Sequence, residues 1–327
     1  MIKNVKSTGI NSIIDYLRTM LIPILVLVLL IIIASIISPF FFSEANFENL
    51  VIQLAVNMIV SMGMLTVILT GGIDLSVGSI VGVTSVLCAG FMKTMPWWLA
   101  IPSAMLIGLA FGIGNGLIIS KLKIAPFIVT LGMMSFARGI AYWYTNATPI
   151  ILSMFDDVQN LAPYYALGGG RVFGFLPIPA IIWLGVAVIT MIILKYTTIG
   201  RVTYSIGGNE EAVRLSGINV TTYKIFPYAY IGLLAGVAGS LLSSRLRVGA
   251  PLSGTGLELD SIAAVVIGGT SLSGGIGCAS GVVIGVFVLG IIENILNLMN
   301  VPAYPQMMLK GIIVVVAVIA STLKKKN

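Results

Sequence analysis

Residues 207–220 read GGNEEAVRLSGINV, a compact, charged and well-punctuated segment in a chain that is otherwise almost wholly apolar. The pattern predicts one short helix. Asn209 suits an N-cap, Glu210 and Glu211 put negative charge on the first turn where the helix dipole favours it, and Gly217 can take the left-handed conformation that ends a helix. Ala212, Leu215 and Ser216 share one face at i, i+3 and i+4 spacing, opposite the charges. So short a helix is marginal alone in water, and the segment therefore calls for something outside itself to hold it.

Outward from this segment the chain is apolar. Of 327 residues 58% are hydrophobic and only 9% charged, with a mean hydropathy of +1.08, whereas an ordinary soluble domain carries about 25% charged residues. We read an all-α polytopic integral membrane protein, one transmembrane domain over 1–327. The absence of histidine removes the commonest general base and metal ligand, and zinc or haem chemistry with them. Cys88 and Cys278 sit in apolar, Gly-rich surroundings that suit reduced packing residues better than a disulfide. The net charge of +7 is not a nucleic-acid patch. Its lysines and arginines collect at the ends of apolar spans, at Lys3, Lys6, Arg18, Lys121, Lys123, Lys195, Arg201, Lys224 and the run from Lys324 to Lys326. By the positive-inside rule both termini and the segment 196–222 are expected in the cytoplasm, and the connection 146–175 outside.

The spans follow from the apolar runs. The first, about Leu21 to Ile37, is too long for a signal peptide and has no clear cleavage site after it. The second, about Leu50 to Leu69, ends in TGGIDLSVGS, Thr70 to Ser79, and a third runs to about Met92. Trp97 and Trp98 suit an interface before a fourth span, about Leu99 to Ile119, where Gly108, Gly112 and Gly116 form small-xxx-small pairs that predict close helix packing. Pro126 opens a fifth span to about Tyr144. Asn146 to Val172 is the longest polar connection, with Asp156, Asp157 and Gly168 to Gly170. Spans over about Ile178 to Leu194 and Tyr223 to Leu242 follow, the latter built on Gly232, Gly236 and Gly239. Leu257 to Ile267 is short for an upright crossing and runs into GGTSLSGGIG, Gly268 to Gly277, which reads as a broken or re-entrant helix. Spans over about Ser280 to Leu298 and Met307 to Leu323 bring the total to about ten crossing segments.

GGIDLS at Gly71 and GGTSLS at Gly268 share four of six residues. Duplicated discontinuous helices mark the transport path in membrane proteins built from repeats, and chance in a glycine-rich chain is the competing reading. Asp74 in the first stretch has two readings: a cap for the helix that begins near Leu75, or a direct role with substrate or gating, as an intramembrane acid warrants. Asn57, Asn115 and Gln53 could hydrogen-bond sugar hydroxyls, although bonding between helices is the favoured role for each. Glu258 and Asp260 open a helix and are expected to serve its N-terminus, while Glu293, Asn294 and Asn297 lie where asparagines glue helices together. Ser76, Thr270, Ser271 and Ser273 join Asp74, Asn57 and Asn115 as candidates for a translocation path. Neither a His-dependent catalytic constellation nor a Walker A loop is present, so ATP hydrolysis by that machinery is excluded.

TGGIDLSVGS at 70–79, GRVTYSIGGNEEAVRLSGINV at 200–220 and LDSIAAVVIGGTSLSGGIG at 259–277 occur in this order, and with them the chain resembles, over nearly its whole length, the membrane permease subunit of bacterial ribose-type ABC importers. The resemblance implies an ABC importer permease fold and a non-catalytic subunit that pairs with itself or a close relative. It further implies a cytoplasmic ABC ATPase, which would carry the ATP and magnesium, and an external sugar-binding protein, with no metal or cofactor on this chain. On that likeness Asn209 to Ile218 corresponds to the coupling helix, with Asn209, Glu210, Glu211, Ala212, Arg214, Leu215 and Gly217 as its docking residues. The implied cargo is a monosaccharide. An autoinducer sugar derivative, an inositol or a nucleoside carried by the same machinery, and ion-coupled secondary transport, are the alternatives.

Overall fold

The computed structural model describes residues 9–155 and 158–324, with the side chains of 9–20, 158–160, 317 and 320–324 left aside. Asp156, Asp157, Lys3, Lys6, Lys325 and Lys326 lie outside the described residues. The helices are α1 (Gly9–Ile37), α2 (Glu44–Leu69), α3 (Val77–Phe91), α4 (Trp97–Leu122), α5 (Pro126–Thr145), α6 (Val158–Gly169), α7 (Ile178–Tyr196), α8 (Thr198–Leu215), α9 (Val220–Leu246), α10 (Leu257–Ile267), α11 (Ala279–Leu298) and α12 (Ala303–Lys324). Among the described residues α2, α4, α7, α9 and α11 are long and apolar enough to cross a membrane, and Leu21–Ile37, Val77–Phe91 and Ala303–Val316 add shorter apolar stretches. The expected spans fall on these helices with ends displaced by a few residues, because apolar runs of this length have only helices open to them in lipid.

α2 is the axis of the fold. It is apolar all round, and Leu54 to Leu69 is buried without interruption. α9 packs beside it and against α4 at glycine-only separation. A β-carbon on Gly108 would overlap the Gly232 carbonyl, one on Gly112 the Tyr228 carbonyl, and one on Gly116 the backbone of Ile225. The predicted close packing is therefore backbone on backbone between α4 and α9.

The two ends of the bundle are distinguished by what gathers there. At one end sits α8. At the other, Arg171 pairs with Glu48 at the start of α2 through two 2.7 Å bonds, and the two-residue strand Ile150–Ile151 pairs antiparallel with Val248–Gly249 after α9. The connection 146–175 is more ordered than a polar loop. α6 sinks Tyr164 completely, so that its hydroxyl donates to the Ser240 carbonyl at 3.1 Å and lies 2.5 Å from Ser243 Oγ and 3.4 Å from Cys88 Sγ. Cys88 and Cys278 are both free thiols, as the sequence reading expected.

This arrangement keeps the first Gly-rich stretch between two spans, as its sequence indicates, and decides the second between a broken and a re-entrant helix. α2 starts, and α3 ends, at the α6 end, so 70–76 is a reversal between antiparallel helices at the α8 end. α10 and α11 repeat the plan: α11 returns to the α6 end, where Asn294 exchanges hydrogen bonds of 2.8 and 3.1 Å with Asn46 of α2. The segment is thus a short crossing followed by a reversal, not a re-entrant hairpin. Glu258 and Asp260 lie in the first turn of α10, as expected, and Asp260 in addition receives Lys310 Nζ at 3.1 Å, while the same ammonium pairs with Glu293 at 2.5 Å, tying α10, α11 and α12 together.

Candidate functional site

The two reversals are built alike. Gly71, at φ +77°, ends α2 by sending its N–H to the Ile68 carbonyl at 2.9 Å, while Gly72 N–H reaches Val67 at 3.2 Å. Gly269, at φ +88°, ends α10 with the matching pair to Val266 and, from Thr270, to Val265, at 2.9 and 3.2 Å. Both are Schellman terminations, which place glycine at the left-handed position. A side-chain turn follows in each. Asp74 Oδ1 accepts from Ser76 N–H at 2.8 Å, and Ser271 Oγ accepts from Ser273 N–H at 3.3 Å. The sequence echo is preserved at these turn residues and slips by one position at the helix ends, where Gly71 corresponds to Gly269. Two reversals of one design, each joining an antiparallel helix pair, support the repeat reading over chance.

The reversals touch each other and α8. Gly275 N–H donates to the Leu69 carbonyl at 3.0 Å, and the β-position of Gly71 faces the Ser273 carbonyl. Gly207 wedges between them: a β-carbon there would overlap both Leu69 O and Gly275 N. Tyr204 Oη adds a 2.8 Å bond to the Gly277 carbonyl. α8 is thereby fastened by backbone contact to the loops that end α2 and α10.

The charged half of α8 is as its sequence predicts, with one addition. The helix kinks at Asn209 (φ −161°, ψ 97°), whose Oδ1 accepts from Ala212 N–H at 3.0 Å, so Asn209 is the N-cap of a second helical piece that continues a first one begun at Thr198. Gly217 takes φ +84°. Val213 packs with Val202, Ile206 and Val220, whereas Ala212 is exposed and Leu215 is 80% exposed. Glu210 is turned to Lys224 of α9 at 2.8 Å, which braces the piece from within, and Glu211 pairs with Arg214 on the open side.

The path candidates do not form one site. Asp74, Ser76 and Asn115 make a fully buried cluster: Ser76 Oγ donates to Asp74 Oδ1 at 2.6 Å, and Asn115 Nδ2 donates to Ser76 Oγ at 2.9 Å. Asp74 is two residues ahead of the α3 N-cap Ser76, so it holds an Asx turn rather than capping the helix directly. Thr270 is buried in the second reversal with its hydroxyl unbonded, and Ser271 and Ser273 form that loop's surface. Asn57 lies on α2 fourteen residues before Gly71, a separation of ~21 Å along the helix. Sequence reasoning missed Tyr204, Tyr228 and Lys310. A lysine inside an apolar span is itself a signal, since such charges are paired or functional, and Lys310 was open to that argument.

Asp74 gives a decisive comparison. Asp74→Asn keeps the Oδ1 acceptor and is expected to reach the membrane and transport near the wild-type level. Asp74→Ala leaves Ser76 N–H and Oγ without their acceptor, a cost of about 1–3 kcal/mol per buried group, and lowers the folded yield several-fold. Detergent-solubilised yield with uptake per folded molecule reads both. A fully folded but inactive Asp74→Asn protein would instead assign the charge to substrate or gating.

Comparison with known proteins identifies relatives of the chain as a whole. Residues 46–318 match the family described as branched-chain amino acid transport system / permease component. The chain is 43% identical over 295 residues to the ribose import permease protein RbsC of Haemophilus influenzae, covering 90% of each, and 44% identical to the Bacillus subtilis protein of that name, covering 91% of each. It is 37% identical to the L-arabinose transport system permease protein AraH of Escherichia coli K12, covering 93% of this chain and 90% of that one. No solved structure matches.

Proposed function

The chain belongs to the branched-chain amino acid transport system / permease component family, and on that premise we propose that it is the membrane-spanning subunit of an ATP-driven importer for a monosaccharide, a pentose of the ribose or arabinose kind. The carrying observation is the likeness to ribose and arabinose permeases at 37–44% identity over at least 90% of the chain. ATP and magnesium belong to a separate ABC ATPase, and a binding protein delivers sugar from outside. Two permease subunits pair across the membrane. α8 faces the cytoplasm with both termini, and the α6 end faces out.

In this reading Asn209 to Gly217 docks on the ATPase. Its bracing by Glu210–Lys224 and its exposed Ala212 and Leu215 suit a rigid knob that a partner covers. ATP-driven closure of the ATPase pair displaces α8, and the Gly207 junction passes that displacement to α2 and α10, alternating access between the two sides.

The test is ATP-dependent uptake of D-ribose and L-arabinose by proteoliposomes holding the chain, its ATPase and its binding protein. Gly217→Pro cannot adopt φ +84° and Glu211→Lys reverses charge on the open side. Both are expected to insert normally but to lose ATPase docking and uptake. Wild-type transport by these variants, or uptake by the chain alone under an ion gradient, overturns the assignment.

A further inference from the structure

A cavity of about 210 Å³ opens at the α6 end between α2, α9, α10 and α11, away from the Asp74 cluster. Asn57, Arg245, Asp260 and Glu293 supply its polar wall, and Leu54 and Leu257 are among its apolar side chains. Two features set it apart from a packing defect. Among the described residues nothing bonds the Arg245 guanidinium, although it is half-buried and shares the cavity with two carboxylates. Asn57 is fixed by Ser61 Oγ, which donates to its Oδ1 at 3.1 Å, so its amide N–H groups are not used by that contact and the residue lines the open space.

The floor is held in place from outside the cavity. Arg138 of α5 donates to the carbonyls of Pro251 and, at 3.0 Å, Ser253, clamping the turn that carries Gly254 and Thr255 to the cavity edge. Lys310 pairs with both carboxylates, and with the Arg245 guanidinium the four charges around the cavity cancel, so its wall is neutral as a whole while rich in both acceptors and donors. A sugar hydroxyl both donates and accepts, and a ring of such groups needs acceptors and donors interleaved, with apolar surface for its C–H faces.

From this geometry we infer that the cavity is an entry site for an uncharged polyhydroxylated ligand. Asp260 and Glu293 accept from neighbouring hydroxyls while Arg245 and Asn57 donate to them. The inference rests on the sugar reading and extends it to named residues outside the reversals. Cargo released at the α6 end would meet this site first and the α8 junction, ~20 Å further along α2, later.

Thr255 is exposed at the cavity edge and reports occupancy. In right-side-out vesicles carrying the assembled importer, a membrane-impermeant maleimide is expected to label Thr255→Cys, and D-ribose or L-arabinose is expected to slow labelling by the factor one plus ligand over Kd, roughly tenfold at about ten times Kd. Adding Arg245→Gln removes no internal bond, so folding is retained. That change should erase the protection and lower uptake about tenfold or more. Absence of labelling, or labelling unaffected by sugar in an importer that accumulates it, overturns the site and leaves the sugar reading standing. Protection by L-leucine in place of sugar overturns the polyol assignment. An importer that takes up neither sugar removes the reading and this inference together.

Discussion

Gly207→Val is expected to leave an importer that assembles and hydrolyses ATP but moves cargo at less than about a tenth of the wild-type rate, while Gly208→Val, one residue on, transports normally. The contrast follows from backbone geometry. A β-carbon at Gly207 overlaps Leu69 O and Gly275 N, the two atoms joined by the 3.0 Å bond between the reversals, and neither can move aside as a side chain tip would. A β-carbon at Gly208 meets nothing within 4 Å. Overpacking typically costs about 1–3 kcal/mol, and because this clash is backbone on backbone the strain is relieved by separating α8 from the reversals rather than by rotamer adjustment. The Asn209–Gly217 piece, braced independently by Lys224, stays intact and still docks. ATPase activity and uptake measured on the same proteoliposomes read the split. Equal transport by both variants would show that α8 does not act through this junction.

That junction also marks how far sequence reading reaches. The charged piece of α8 was legible because its determinants are local: a cap at Asn209, a stop at Gly217 and acids between them all act within one turn of their own backbone. The stops at Gly71 and Gly269 were legible for the same reason. That the first joins two spans followed from the apolar run after it, whereas the second stayed between a broken and a re-entrant helix, because Leu257 to Ile267 is short and a helix stop says nothing about the direction in which the chain leaves. The reversal is decided by contacts far along the chain, such as Glu48 with Arg171 and Asn46 with Asn294. The same holds for Asp260, whose place in a first turn was legible and whose second partner, Lys310, fifty residues away, was not, because an ammonium in an apolar setting finds its counter-charge across the fold. Tyr164 was invisible in sequence, being one tyrosine of a pair in a polar connection until α6 carries it into the gap between α3 and α9.

The glycine pattern on α4 and α9 was read correctly as close packing, and the structure sharpens it into a second comparison of large expected effect. Gly112→Ala adds only a methyl group, yet that methyl falls on the Tyr228 carbonyl and beside Ala229 Cα, so α4 and α9 must separate along their shared length. Gly114→Ala lies on the same helix two residues away and meets only Met133 Cε at 3.6 Å, an ordinary contact with a flexible side chain end. The local helix-propensity gain from Gly to Ala, about 1 kcal/mol, is the same in both and favours the variant. Packing alone therefore decides the sign. Gly114→Ala is expected to raise the melting temperature slightly, and Gly112→Ala to lower it by several degrees, reflecting a net loss of about 2 kcal/mol or more once overpacking outweighs propensity. Because Tyr228 sits on the face of α9 that this contact fixes and its hydroxyl abuts Gly72, the displaced helix also disturbs the first reversal. Gly112→Ala should thus lose uptake beyond its loss of folded protein. Thermal unfolding in detergent, paired with uptake per folded molecule, tests both parts, and a Gly112→Ala protein as stable as Gly114→Ala would remove backbone contact as the basis of the α4–α9 interface.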